Sequence, residues 1–418
     1  MNRPNLIRAC AVAAAASAAL VASSALGQQD VQPLPVSAEA VGYAPAPPMP
    51  SAAERMRLRD GLAAAQSGDW SGLASLRDSS SDPLVRRMLQ WRWASSTEAP
   101  LYFSDIKQAL DDLQGWPGRT AMRQRAEQAI LDSRLSPTER VAFLRQDGGP
   151  ITGDGRIALA MALRDSGQRS EANEIARAAW RDDALTSAGE DRALHEFSSA
   201  FTQEDHSARV SGLLWRDQRT AAQRLFSRIS PADRALAQAR IAIQTRARRG
   251  LQAAIDAVPA SRQDDPGLLF DRAQYRRRTD QPIDAMQMAA RIDAREAPVA
   301  ARAEIFRERR IYLPRAMRAG NYSLAYQLVS NHGMTSGEFF ADAEWLSGWI
   351  SLRYLNQPQR AAEHFSHLSE NVSSPVSLSR ALYWRGEAQQ ALGNREEAER
   401  LFNEAARFNF TYYGQLAA

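Results

Sequence analysis

Of the five histidines, His195, His206, His332, His364 and His367, only His364 and His367 share a helical face, and with Glu363 they would offer three metal ligands. We read that pair instead as an exposed polar face of the helix carrying Phe365 and Leu368, because such spacing often occurs without ligation. Neither a metal nor a cofactor is expected. Asp111-Asp112, Asp182-Asp183, Asp264-Asp265 and Glu396-Glu397 are adjacent in sequence. Helical neighbours point to different sides, so these pairs cannot form the facing carboxylates of glycoside cleavage and read as solvated or helix-end charge. The one glycine-rich stretch, Gly148 to Gly155, lacks the Gly-Lys-Ser/Thr ending of a phosphate loop and follows no strand, so it reads as an interhelical loop. No serine or cysteine nucleophile motif occurs, and no catalytic residue is assigned.

Arginines cluster between Arg272 and Arg318, interleaved with Asp271, Asp280, Asp284, Glu304 and Glu308. A helix surface laced with i,i+4 ion pairs accounts for them better than an anion-facing patch. Trp91 and Trp93 invite a sugar-stacking reading, as do Trp345 and Trp349. The latter two are four apart beside Leu346 and Leu352, a spacing that ordinarily faces a core.

What must position these residues is helical. Stretches such as Ile157 to Leu163 and Leu236 to Ile243 repeat apolar residues at i, i+3, i+4 and i+7, and alternating β-branched runs are missing. The expected fold is all-α. At 418 residues the chain is too long for one small module, and 23 Gly with 20 Pro is well below low-complexity composition. The formal charge of +4 carries no large basic excess, so a nucleic-acid partner is not expected.

Arg3 and Arg8 precede an uncharged Ala- and Val-rich run that ends in Ala25-Leu26-Gly27, the pattern of a secretory signal over residues 1–27. This predicts an exported, periplasmic protein with no stable membrane anchor. The single cysteine, Cys10, would leave with the signal, so no disulfide is expected. Residues 28–52 carry Pro33, Pro35, Pro45, Pro47, Pro48 and Pro50 and read as a tether.

A repeated signature organises the rest. Six small residues, Ala172, Ala222, Ala285, Ala325, Ala361 and Ala398, open the second helix of a pair. Five positions earlier stand Gly167, Asp217, Asp280, Gly320, Asn356 and Gly393, the types that most readily adopt the left-handed conformation ending a helix. Positions +4 and +7 from each anchor are apolar with one exception, His332. Each unit is predicted to be a helical hairpin with one apolar stripe, and the hairpins are predicted to stack into an α-superhelix. Towards the C-terminus the spacing approaches the 34-residue tetratricopeptide period, most closely over Ser379 to Phe408.

Ala343-Glu344-Trp345-Leu346-Ser347-Gly348-Trp349 through Leu355, Arg380-Ala381-Leu382-Tyr383-Trp384-Arg385-Gly386 and Thr411-Tyr412-Tyr413-Gly414-Gln415-Leu416-Ala417 resemble the end of the superhelical region of soluble lytic murein transglycosylases. Phe270-Asp271-Arg272-Ala273 and Gly320-Asn321-Tyr322-Ser323-Leu324-Ala325-Tyr326 fit the same family. The resemblance covers most of the chain after about residue 80. It implies an α-superhelical ring over 53–335 and a helical linker domain over 336–418. It also implies a lysozyme-like domain that cleaves the bond between N-acetylmuramic acid and N-acetylglucosamine to a 1,6-anhydro product. That domain's Glu-Ser and Gly-Leu-Met-Gln motifs are not in this sequence, and the linker domain is expected to be truncated before it. The implied partners are peptidoglycan glycan strands and other cell-wall proteins, with Tyr412, Tyr413, Trp345 and Trp349 as candidate glycan contacts. The alternative is a stand-alone periplasmic helical-repeat module that binds a protein or peptide.

Overall fold

A computed structural model describes residues 49–418, and the expected signal segment, with most of the tether, lies outside them. The described residues contain α-helices and short 3-10 turns and no strand. The helices are α1 (Ala52–Gln66), α2 (Trp70–Asp78), α3 (Pro83–Ala94), α4 (Phe103–Asp112), α5 (Arg119–Ala129), α6 (Pro137–Leu144), α7 (Gly153–Asp165) and α8 (Arg169–Asp182). They continue as α9 (Ser187–Phe197), α10 (Gln203–Trp215), α11 (Arg219–Arg224), α12 (Pro231–Gln244), α13 (Leu251–Asp256), α14 (Pro266–Arg278) and α15 (Pro282–Arg291). The last are α16 (Val299–Arg318), α17 (Tyr322–Val329), α18 (Glu338–Arg353), α19 (Pro358–Glu370), α20 (Pro375–Ala391), α21 (Arg395–Ala406) and α22 (Tyr412–Ala417).

Local sequence explains where they start and stop. Ser136, Ser230, Asp265 and Ser374 cap the N-termini of α6, α12, α14 and α20, each followed by proline at the first helical position, where a missing N–H costs nothing. All six residues expected to close a helix do have positive φ, from 52° at Asn356 to 88° at Gly167. In five of the six turns the next residue's N–H bonds back five positions, as Gln168 does to the Leu163 carbonyl at 2.9 Å, the closure of a Schellman turn.

The six anchor alanines are buried, the most exposed of them, Ala398, at 3%. A small residue there lets the two helices of a hairpin pack closely. Substantial helix contacts run only between neighbours one or two apart in the order, which is the contact pattern of a stacked superhelix. One unit departs from the expected continuous stripe. After Ala222 the helix stops at Arg224, and Phe226 falls in a 3-10 turn, although Ile229 is still buried. No helix among the described residues is long and apolar enough to cross a membrane.

Candidate functional site

The described residues bury eight carboxylates. Four of them are consumed at joints between helices by arginine, which stays charged at any ordinary pH. Asp271 of α14 accepts from Arg240 Nε of α12 at 2.7 Å, and Glu308 of α16 accepts from Arg277 of α14 through both oxygens at 2.7 Å. Glu190 pairs with Arg209, and Asp205 with Arg181. These contacts correct the expectation of i,i+4 pairs in the arginine cluster. Arg277, like Arg310 with Asp342 at 2.6 Å, reaches the next hairpin rather than its own helix, because the stacking brings residues some thirty apart side by side.

Glu344 is met by histidine instead. It lies on α18, 4% exposed, and three of the five histidines converge on it. His332, in the loop after α17, places Nε2 2.8 Å from Oε1; His367 places Nδ1 2.9 Å from the same oxygen; His364 places Nδ1 2.6 Å from Oε2. The Tyr326 hydroxyl is 3.0 Å from His364 Nε2, and the Arg360 guanidinium stands 5.2 Å from the Tyr326 ring. Phe340 packs edge-on against His332 and His367. The cluster therefore spans residue 335, the expected junction of ring and linker domains.

The bonding assigns its protons. The Met334 N–H donates to His332 Nδ1 at 3.1 Å, so His332 is the neutral tautomer that donates from Nε2 to the carboxylate. His364 and His367 donate from Nδ1. Burial pushes the Glu344 carboxyl up, but the hydrogen bonds from His332 and His364 outweigh it and hold the group well below the usual carboxylate range. A carboxylate held ionised and met by three donors cannot deliver a proton to a leaving group. Its capacity is to tie three elements together.

The reading of His364 and His367 as an exposed polar face is corrected for His364, which is largely covered because α19 packs on α18 there; His367 stays exposed, as expected, although its ring also reaches Glu344. Glu363, grouped with them in sequence, is exposed and 3.5 Å from Gln359 instead. No group of His, Cys, Asp and Glu among the described residues is arranged to hold a metal ion.

The remaining candidates are placed as follows. The glycine-rich segment is an interhelical loop that runs into the first turn of α7 at Gly153 and cradles an anion belonging to the protein itself. Glu127 accepts from the N–H groups of Ile151 and Thr152, both at 2.9 Å, and from the Thr152 hydroxyl at 2.6 Å. Trp345 and Trp349 stack at 5.8 Å, half-buried between helices, and Trp345 meets Trp384 edge-on. Trp91 leans on Trp116, while Trp93 lies under Arg77. Tyr413 packs on Tyr383 at 5.6 Å, whereas Tyr412 is 65% exposed beside Phe410 at 71%.

No family model matches the chain, and no curated protein matches it. Among solved structures, it is similar to a chain of the APC/C hetero-tetramer Cut9-Hcn1 at 13% identity, covering 85% of this chain and 86% of that one with a TM-score of 0.22.

Proposed function

We propose that these residues form an exported, peptidoglycan-associated scaffold of a lytic transglycosylase, holding glycan strands while bond cleavage is performed outside them. The resemblance described above supplies the substrate class. The observation that carries the reading here is the exposed aromatic surface of Phe410 and Tyr412 at the end of the stack, with Tyr412 set edge-on at 5.1 Å to Tyr413, itself packed on Tyr383. An uncovered aromatic surface on a rigid support marks an interaction site, and aromatic rings offer sugars an apolar stacking face. Glu344 supports a holding role because it ties α18 to α19 and to the loop after α17 and has no proton to give.

Incubation of the full chain with purified sacculi tests the proposal. Sedimentation with sacculi, weakened in a Tyr412→Ala and Phe410→Ala double variant of unchanged helicity, is the expected result. Release of anhydromuropeptides by the chain itself would overturn the scaffold assignment. Absence of both sedimentation and release would favour the protein-binding module.

A further inference from the structure

We infer that the turn between α12 and α13, with the end of α14 beside it, docks reversibly on an anionic phospholipid surface. The inference stands apart from the glycan reading, since it uses none of the aromatic residues at the end of the stack.

Residues 245–250 run Thr-Arg-Ala-Arg-Arg-Gly. The Ala247 N–H bonds back to the Ala242 carbonyl at 2.9 Å, so this turn closes as the turns of the other hairpins do. Its left-handed position, however, is held by Arg246, at φ 51°. Every other described residue with positive φ is Gly, Asp or Asn. An arginine there bears a steric cost that glycine avoids, and a strained residue of this kind points to a use for its side chain.

The arginines of this turn are unspent. Arg246, Arg248 and Arg249 are exposed and have no hydrogen bond or ion pair among the described residues. Arg278, at the end of α14, is in the same condition, and it lines one cavity with Arg246, which sets the two turns side by side. Nearby Arg240, Arg262, Arg276 and Arg277 are each answered, by Asp271, Asp233, Asp284 and Glu308. Of the acids on the shared cavity, Asp271 is taken by Arg240 and Asp217 by Arg219 at 2.8 Å, while Glu304 is partly buried and its carboxyl is pushed up by that burial. Asp280 is exposed and unpaired. Free guanidinium groups therefore outnumber free carboxylates along this edge.

The shape selects the partner. The turn is open: a Cβ at Gly250 would meet no atom within 4 Å, and the three arginines stand on a loop rather than around a groove. A single small anion reaches one or two such groups, whereas a sheet of phosphodiester headgroups offers each guanidinium its own acceptor. Ile283, 57% exposed in the first turn of α15, adds an apolar side chain shortly after Arg278 that suits the boundary between headgroups and acyl chains.

Flotation of the full chain with phospholipid vesicles tests the inference. The chain is expected to float with vesicles of phosphatidylglycerol and phosphatidylcholine at low salt, to stay behind with phosphatidylcholine alone, and to be released by sodium chloride at about 0.5 M. A triple variant, Arg246→Gly with Arg248→Gln and Arg249→Gln, is expected to bind about 100-fold more weakly, at roughly fivefold for each arginine. It should keep its fold, because glycine takes the left-handed position without strain, and its sedimentation with sacculi should be unaffected. Equal flotation with both kinds of vesicle, undiminished flotation of the triple variant, displacement by free glycerol phosphate, or no flotation at all would each overturn the inference. Retention on polyglutamate without flotation would overturn it in favour of an acidic protein partner.

Discussion

Replacing Glu344 by glutamine keeps the shape of the joint between α17, α18 and α19 and removes its charge. Three bonds of 2.6 to 2.9 Å then change from charge-assisted to neutral or are lost. At roughly 1 kcal/mol for each bond converted, the local cost is about 2–3 kcal/mol. Opening of this part of the stack, followed by hydrogen exchange of peptides from 338–370, should therefore be faster by roughly thirtyfold or more at neutral pH. The pH dependence has a definite sign. The folded carboxyl is depressed from its ordinary 4.5, so its contribution is fully present above that value and is lost as pH falls below it towards the folded value. From about pH 5 downward, the gap between wild type and Glu344→Gln should narrow. An unchanged exchange rate at neutral pH, or a gap that stays constant to low pH, would refute the assignment of Glu344 as an ionised joint.

Gly348 of α18 faces Phe365 of α19, and a Cβ there would lie 2.6 Å from the ring, so Gly348→Ala should cost about 1–3 kcal/mol in denaturant unfolding through overpacking. Gly393 has φ +84° with open space around it, so Gly393→Ala should cost about 1–2 kcal/mol from backbone strain alone, and Gly393→Asn should recover part of that. Arg209 is buried against Glu190, and Arg209→Met should cost about 3–5 kcal/mol by leaving that carboxylate with the half-exposed Arg224 alone, measured by hydrogen exchange in 187–215.

The hairpins were legible because each signal is local. A left-handed closing residue, an anchor five positions on and an apolar stripe all lie within about a dozen residues, and five of the six turns share one hydrogen-bond closure. The histidine-ringed carboxylate was not legible. Its members, His332, Glu344, His364 and His367, come from a loop and two helices, and only the stacking register brings them together. One trace of it existed: His332 is the single polar residue in the apolar +7 slot, and it is buried there because Glu344 answers its N–H. The arginine cluster failed for the same reason, since spacing along one helix does not reveal a partner one hairpin away. Arg309 shows this most plainly. It is buried with no carboxylate bonded to it, its guanidinium turned to the carbonyls of Gln327 and Ser330, and burial lowers its pKa to about 10.

The central claim is that this stack of hairpins holds wall glycan without cutting it. Co-sedimentation of the full chain with purified sacculi, followed by chromatography of the supernatant, tests it most directly. The account predicts that the chain pellets with the sacculi, that pelleting drops in the Phe410→Ala and Tyr412→Ala double variant, and that the supernatant contains no anhydromuropeptides. A chain that stays soluble beside intact sacculi, or one that releases anhydromuropeptides, would contradict it.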